Sequence, residues 1–236
     1  MFFPSIAPPE ELHYAHGARS LLVRRAQIGD AGELARAIEM SLPELRAFMP
    51  WSHFSERNTA SAQAERLAGA VIDWDNKADY LFHIYHSMPG AVDRFVGCLG
   101  LHPRCAHNRG LEIGYWIRSD ITGQGVCTLA TQMLVLAGFK VMQLERVQIG
   151  CDDRNLASKR VIEKVGFVHE GLLRNHAHGV APPHIVAQGW RGTGDIATYS
   201  LIPSDLERLT WVDSISRHLI LTSGGETMML GSDLDA

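Results

Sequence analysis

The sequence predicts a mixed α/β fold, in which helices flank one β-sheet. Segments that alternate apolar and polar residues, as strands do, precede, interleave with and follow segments of helical periodicity. Two glycines one residue apart also separate a strand-like segment from a helix-like one near the middle of the chain. No internal repeat is present, and the pattern favours a mixed sheet over a sandwich or a helix bundle.

The composition is that of an ordinary globular protein. Of 236 residues, 46% are hydrophobic and 20% are charged, and the formal net charge is −4. This charge provides no basic field for general nucleic-acid binding, so we expect no nucleic-acid partner. No apolar segment approaches the roughly 20 residues of a membrane span, and the Pro-interrupted N-terminus does not resemble a signal peptide. Four cysteines without a C-x-x-C pair indicate reduced thiols in the cytoplasm.

The first third of the chain predicts one strand and two helices. Residues 1–19 are Pro-rich and poorly periodic, and we expect them to form an arm. LLVRR at 21–25 favours a short strand. Apolar residues at three- and four-residue spacing indicate helices at 30–42 and 60–74, separated by an irregular segment at 43–58.

The rest of the chain predicts six further strands around two helices. The strand-like segments are YLFHIYH (80–86), RFVGCLGLH (94–102), EIGYWIR (112–118), RVQIGC (146–151), FVHEGLLRN (167–175) and DIATYSLI (195–202). A buried helix is expected at 124–140, and a second helix at 155–165 ends at Gly166. A short helix begins a polar tail after Pro203.

Gly123 and Gly125 predict an anion site at the start of the helix that follows them. The first N–H groups of a helix have no partner within it, and the helix dipole favours negative charge there. Glycine permits the positive φ angles that such a turn needs. A P-loop is not indicated, since no G-K-[ST] follows, and the third glycine of a dinucleotide-binding turn is missing. A tight turn into a core helix is the structural alternative.

Four blocks of the sequence follow one another in a defined order. They are LRAFMPW at 45–51, EIGYWI at 112–117, TGQGVC at 122–127 and the block from Asn155 to Phe167 that contains Ser158, Lys164 and Gly166. At these separations, the blocks together resemble the GNAT superfamily of acetyl-CoA-dependent N-acetyltransferases, and its RimJ/RimL-type branch most closely. The resemblance covers about residues 20–202.

The resemblance implies a fold, a division of the chain and an activity. The fold is a mixed, mostly antiparallel sheet of six to seven strands with a central V-shaped split, flanked by helices. The expected parts are an arm at 1–19, an acetyltransferase domain at 20–202 and an appendage at 203–236 that is a candidate homodimer contact. The reaction is acetyl transfer from the cosubstrate acetyl-CoA to a primary amine by direct attack in a ternary complex. The acceptors of this branch are protein N-termini, amino acids and small amines.

The same resemblance implies which residues hold acetyl-CoA. The backbone of the glycine turn would bind the pyrophosphate, and the edge of the central strand would pair with the pantetheine arm. Asn155 would contact a pantetheine amide, a role that competes with capping the next helix. The implied binding residues are Tyr115, Trp116, Ile117, Thr122, Gly123, Gln124, Gly125, Val126, Cys127, Thr128 and Asn155.

Glu112 and Ser158 are the implied catalytic residues. Glu112 would take a proton from the acceptor ammonium through a water. Ser158 would protonate the departing thiolate, because Ile162 occupies the position where many family members have a tyrosine. His176 and His178 are alternative bases. A solvent-facing carboxylate and a serine bonded to local backbone are the structural alternatives.

Metal binding and cysteine chemistry are not expected. His83 and His86 would point to opposite faces of a strand, and two histidines at 176 and 178 make a poor zinc site alone. A helix start can lower the pKa of a thiol such as that of Cys127, but a packing role is preferred there. Because the usual tyrosine is missing, a non-catalytic acyl-CoA sensor or interaction module is the alternative to an enzyme.

Overall fold

The strands form a single ten-stranded sheet in the computed structural model, which describes residues 7–87, 94–103, 109–176 and 194–233. The strands are β1 (Glu11–His16), β2 (Arg19–Arg25), β3 (Tyr80–Ser87), β4 (Arg94–His102), β5 (Gly110–Ile117), β6 (Arg146–Asp152), β7 (Val168–Leu173), β8 (Ile196–Leu201), β9 (Leu219–Ser223) and β10 (Glu226–Met229). In space their order is β10-β9-β1-β2-β3-β4-β5-β6-β8-β7. Every neighbouring pair is antiparallel except β5 and β6, which are parallel.

Five α-helices lie among the described residues. They are α1 (Ala31–Phe48), α2 (Ala60–Asp75), α3 (Val126–Leu136), α4 (Leu156–Val165) and α5 (Val212–Ser216). The Thr59 hydroxyl caps α2 by accepting the N–H of Ala62, and Gly166 ends α4 with a φ of 95°. None of the described helices is long and apolar enough to cross a membrane.

The predicted fold class is confirmed, but the described residues form a sheet of ten strands rather than six or seven. All seven predicted strands are present, and the others are β1, within residues 1–19, and β9 and β10, within residues 203–236. Leu12 on β1 and Leu221 on β9 face each other and are buried in the main core, which explains why these segments extend the sheet. The prolines before β1 concealed its alternation, whereas the Gly224-Gly225 turn between β9 and β10 is a hairpin signal that the sequence does contain.

Two hydrophobic clusters cover opposite faces of the sheet. The larger contains Leu111 and Ile113 of β5 together with residues of α3 and α4. The smaller contains Trp116 of β5 together with residues of α1 and α2. Because side chains alternate along a strand, Glu112 and Gly114 share the face of Trp116. The central strand therefore presents a polar and a glycine position to the space beneath α1 and α2.

A buried ionic network ties β2 and β3 to the start of α1. Arg24 donates to both carboxylate oxygens of Asp30, at 2.6 and 3.1 Å, and to the hydroxyl of Tyr85 at 2.7 Å. His83, which is fully buried, lies with Nδ1 2.7 Å from Asp30 Oδ2. Burial alone would raise the pKa of the Asp30 carboxyl, but hydrogen bonds from His83 and Arg24 hold that pKa well below its usual range. Burial also lowers the pKa of His83, so its neutral ring donates Nδ1–H to an ionised carboxylate.

Candidate active site

The sheet opens between its two parallel strands. The β5–β6 ladder joins Gly110–Glu112 to Arg146–Gln148, and its pairing extends no further along the described strands. β5 continues to Ile117 and β6 to Asp152, so their remaining residues border a gap. This gap is the V-shaped split that the sequence analysis expected. It leaves strand edges able to hydrogen-bond an extended ligand.

A cavity of about 800 Å³ connects the split with the face of the sheet beneath α1 and α2. On the side of the split it is lined by Tyr115, Cys151, Asn155 and Ser158. On the other side its wall includes the segment from Phe48 to Trp51, which belongs to the irregular segment predicted at 43–58, and residues of α2. Trp51 packs against Trp116, with their ring centroids 6.2 Å apart. One continuous space therefore reaches both faces of the central strand.

The glycine turn has the backbone geometry that an anion site requires. Gly123 and Gly125 both adopt a φ of 80°, and no atom lies within 4 Å of the position that a Cβ would take at either residue. The first backbone bond of α3 runs from the Leu129 N–H to the Gly125 carbonyl, so the three N–H groups before it precede the helical ladder. No side-chain cap bond is made at its N-cap residue, Gly125, by the part of the chain that the structure describes. The residues present therefore fit a pyrophosphate: the turn is open, and the helix start offers unpaired donors.

The side chains around the glycine turn provide few groups for ligand binding or catalysis. Thr122 and Gln124 are exposed, and the Thr122 hydroxyl donates to the Ser119 carbonyl at 2.9 Å. Val126 is buried, and Thr128 is half-buried. Burial raises the pKa of the Cys127 thiol to about 12, which leaves the thiol protonated. The preference for a packing role at this position therefore agrees with its surroundings.

Tyr115 crosses the split and meets the first turn of α4. Its hydroxyl lies 2.9 Å from Ser158 Oγ and 3.3 Å from the Ser158 carbonyl. Burial raises the pKa of Tyr115 well above its ordinary value, so this hydroxyl keeps its proton. The sequence assigned Tyr115 a backbone role next to Trp116, which is buried on the opposite face, and Ile117, which is half-buried. It gave no sign of the contact with Ser158, since the two residues are 43 positions apart.

Asn155 and Ser158 are joined at the start of α4. The Asn155 side-chain carbonyl accepts the Ser158 N–H at 3.0 Å and so caps α4. This bond occupies the oxygen that a pantetheine amide would otherwise contact. The amide nitrogen of Asn155 is then the group that could donate to a ligand. Ser158 is buried, and its hydroxyl faces Tyr115 at the edge of the cavity.

Glu112 lies on the cavity wall, at the point where β5 and β6 separate. Its carboxylate accepts a hydrogen bond from Gln148 Nε2 at 2.9 Å. The neighbouring strand β4 presents His102 directly opposite Glu112 on the same face. His102 Nδ1 lies 2.7 Å from Asp79 Oδ1, and the imidazole also lines the cavity. Nothing in the sequence indicates this pair, because 23 residues and a change of element separate its members.

Of the two alternative bases that the sequence offered, only His176 falls among the described residues. His176 is exposed and is not among the described residues that line the cavity. His178 falls outside the described residues. His83 belongs to the buried network with Asp30. Across the described ranges, no three His, Cys, Asp or Glu side chains are grouped in a way that could hold a metal ion.

Comparisons with known proteins all identify the same family. A family model described as an acetyltransferase (GNAT) domain matches residues 20–168, more than half of the chain. "Putative ribosomal N-acetyltransferase YdaF" of Bacillus subtilis (strain 168) is 29% identical over 189 residues, covering 79% of this chain and 93% of the relative. The ribosomal-protein-serine acetyltransferase of Escherichia coli (strain K12) is 32% identical over 82 residues, covering 35% of this chain and 46% of the relative.

Solved structures share the fold. RimJ of Mycobacterium smegmatis in complex with CoA-disulfide superposes with a TM-score of 0.70 at 22% identity, covering 87% of this chain and 92% of that one. The microcin C7 self-immunity acetyltransferase MccE, in complex with acetyl-CoA and AMP, has a TM-score of 0.65 at 21% identity, covering 77% and 92%. The resemblance to the RimJ/RimL-type branch is thereby confirmed. The chain belongs to the GNAT acetyltransferase family and is an N-acetyltransferase that uses acetyl-CoA.

Proposed function

We propose that this enzyme acetylates the α-amino group of a protein N-terminus, by direct attack of the amine on acetyl-CoA in a ternary complex. The observation that carries the proposal is the continuous cavity, which opens at the split on one side of β5 and beneath α1 and α2 on the other. Such a cavity lets donor and acceptor approach the same point from opposite faces of the sheet. Holding both reactants in this way reduces the entropic part of the barrier.

The donor half of the site follows from the split and the glycine turn. The N–H groups from Gly123 to Thr128 bind the pyrophosphate at the start of α3. The β5 edge at Tyr115–Ile117, beyond the last pair with β6, hydrogen-bonds the amides of the pantetheine arm. Asn155 contributes its amide nitrogen, because its carbonyl oxygen caps α4. The thioester then lies near the residues where the two strands separate.

The acceptor half of the site lies beneath α1 and α2. Its wall combines apolar side chains such as Trp51 with the exposed charged side chains of Arg57, Glu65 and Arg66. A wall of this mixed character suits the backbone and side chains of a short peptide better than it suits a single small amine. Two relatives are named as ribosomal acetyltransferases, which supports a protein acceptor. Glu112, at the inner end of this half, attracts the ammonium group of the acceptor.

Ser158 and Tyr115 together act as the general acid of the reaction. When the C–S bond breaks, Ser158 gives its hydroxyl proton to the thiolate sulfur, and Tyr115 donates a proton to the Ser158 oxygen in turn. The raised pKa of Tyr115 keeps this second donor protonated. The pair thereby performs the task that a tyrosine at position 162 would perform in many relatives.

A panel of peptides tests the acceptor class. We expect acetylation of hexapeptides that begin with Ser, Ala or Thr and none of the same peptides with a blocked α-amino group and a free lysine. Release of the CoA thiol and the mass of the product measure the reaction. Transfer to small amines with no transfer to any peptide would contradict the protein-acceptor proposal. Binding of acetyl-CoA without any turnover over both panels would favour a sensor.

Removing the hydroxyls of Ser158 and Tyr115 tests whether this pair is the general acid. Ser158→Ala should lower kcat by about 100-fold, within the usual range for loss of a general acid, and Tyr115→Phe by about 10-fold. KM for acetyl-CoA should change little, because neither hydroxyl contacts the pyrophosphate. Tyr80→Phe is a matched control, since the Tyr80 hydroxyl is buried without a partner among the described residues. An unchanged kcat in Ser158→Ala would remove Ser158 from the mechanism.

A cytoplasmic location and a homodimer complete the proposal. The location is supported by the ribosomal acceptors named for two bacterial relatives, since ribosomes are cytoplasmic. The homodimer is supported by β10, an edge strand of the sheet with exposed Met228 and Met229. Sedimentation equilibrium would give the mass in solution, and a monomer at micromolar concentration would rule the homodimer out.

A further inference from the structure

His102 lies at the end of β4, where it faces the acceptor half of the cavity. It pairs with Glu112 across the β4–β5 ladder, so the two side chains are neighbours on one face. The His102 side chain is 24% exposed and lines the cavity, whereas the buried His83 does not line it. Its position is therefore open to a substrate that enters beneath α1 and α2.

Asp79 determines which nitrogen of His102 carries the proton. The Asp79 carboxylate oxygen lies 2.7 Å from His102 Nδ1, and a carboxylate can only accept a hydrogen bond. The same oxygen also accepts the Tyr80 N–H at 3.0 Å, which fixes it at the start of β3. The neutral ring therefore has its proton on Nδ1 and a lone pair on Nε2. No partner for Nε2 is found among the described residues.

Two glycines make room for the ring in this orientation. A Cβ at Gly100 would lie 2.7 Å from Nε2 and Cε1 of His102, and a Cβ at Gly114 would lie 3.0 Å from Nε2. These glycines face each other across β4 and β5 and both line the cavity. A Cβ at Gly100 would collide with the imidazole and one at Gly114 would press tightly against it, so glycine at both positions lets the ring lie here.

We propose that His102 is the general base that deprotonates the acceptor ammonium, and that Asp79 is the residue that positions it. This inference rests on the proposed function and refines it, because the family resemblance implied Glu112 as the base. A neutral imidazole with a lone pair on Nε2 can accept a proton, which suits a general base, and the ring lines the cavity. The Glu112 carboxylate beside it stabilises the imidazolium that forms and holds the ammonium in place.

The protons of the reaction balance with one base and one acid. His102 Nε2 takes the first proton from the ammonium, and the freed nitrogen lone pair forms the bond to the thioester carbon. The C–S bond then breaks, and the sulfur leaves with the bonding electrons. The nitrogen loses a second proton to a solvent water, and water returns one proton to Tyr115, which replaces the proton that passed through Ser158 to the sulfur. His102 returns the first proton to solvent, so each turnover releases one amide, one CoA thiol and one proton.

Steady-state kinetics with the fastest peptide of the panel measure the role of His102. His102→Gln should lower kcat by about 100-fold and leave KM for acetyl-CoA unchanged. Asp79→Asn should lower kcat by at least about 10-fold, because an amide can donate to Nδ1 and so favours the tautomer without a lone pair on Nε2. His169→Gln is the matched control, since His169 is an exposed residue of β7 outside the cavity, and its kcat should equal that of the parent.

Two further measurements separate catalysis from folding. His102→Ala leaves a space beside Gly100 and Gly114, and added imidazole should restore its turnover at least about 10-fold, as a replacement for the missing base. In the parent, ¹⁵N spectra of the histidine rings should show the Nδ1–H tautomer for His102, and Asp79→Asn should lose that signal. The spectra require no acceptor, so they test the tautomer even where no peptide of the panel reacts.

Specific results would overturn the inference. They are an Nε2–H tautomer for His102 in the parent, a His102→Gln variant that binds acetyl-CoA and keeps the parent kcat, and a His102→Ala variant that imidazole does not rescue. A parent enzyme that acetylates small amines but no peptide contradicts the acceptor proposal alone. In that case, the same variants assayed with the reactive amine still decide the role of His102.

Discussion

Gly125→Glu is expected to lower the affinity for acetyl-CoA by about 100-fold or more. Gly125 has a φ of 80° and open space around its Cβ position, where we expect the pyrophosphate to lie. A carboxylate there would face the phosphates, and like charges brought together in a binding site cost several kcal/mol, with about 1.4 kcal/mol per factor of ten. Calorimetric titration with acetyl-CoA measures the change directly.

Two control variants isolate the charge from the backbone. Gly17 also has a positive φ, 58°, and an open Cβ position, but it lies in the turn between β1 and β2. Gly17→Glu should therefore bear a similar backbone strain, about 1–2 kcal/mol, and keep its affinity for acetyl-CoA. Gly125→Ala should lose less affinity than Gly125→Glu. Full affinity in a folded Gly125→Glu would mean that the pyrophosphate binds elsewhere and that the two glycines only form a turn.

Asp30→Ala should lower the free energy of unfolding by about 3 to 5 kcal/mol, the usual cost of removing one partner from a buried charge pair. The substitution leaves Arg24 and the fully buried His83 without the carboxylate that accepts their hydrogen bonds. It also removes the acceptor for the Gln27 N–H. Urea denaturation followed by tryptophan fluorescence measures the loss.

An exposed ion pair provides the comparison. Arg109 and Glu145 lie 3.2 Å apart, with their side chains 43% and 61% exposed. Glu145→Ala should cost at most about 1 kcal/mol, because surface pairs contribute little. A similarly small loss of unfolding free energy in Asp30→Ala would show that water enters the network around Asp30 and replaces the missing carboxylate. The contrast between the two variants therefore measures how much burial increases the cost of breaking an ion pair.

Local sequence patterns predicted the structure correctly where a single segment determines it. Both glycines of the 122–127 turn adopt the positive φ that their lack of a side chain permits, and α3 begins directly after them. α4 begins after Asn155 and ends at Gly166, as the capping residues predicted. These features depend on contacts within a few residues, so their physical cause is visible in the sequence.

The contacts that define the chemistry depend on how distant strands meet. Tyr115 reaches Ser158 because the split leaves room for its ring between β5 and α4, and nothing near Tyr115 in the sequence indicates this. His102 reaches Asp79 because β3 and β4 are neighbours in the sheet. The environment of the Cys127 thiol is a further property that the local sequence does not indicate. Burial raises the pKa of this thiol, and no local sequence pattern reports that burial.

The three-pair ladder between β5 and β6 has a consequence for the lifetime of the protein in the cell. Beyond that ladder, the middle of a ten-stranded sheet lacks one stretch of main-chain pairing, and the amide groups of the bound donor would supply it. A ligand that binds only the folded chain stabilises it, by about 2.7 kcal/mol at a concentration one hundred times the dissociation constant. A chain with acetyl-CoA bound would therefore unfold less often, and we expect its proteolysis to be slower with acetyl-CoA present than without it.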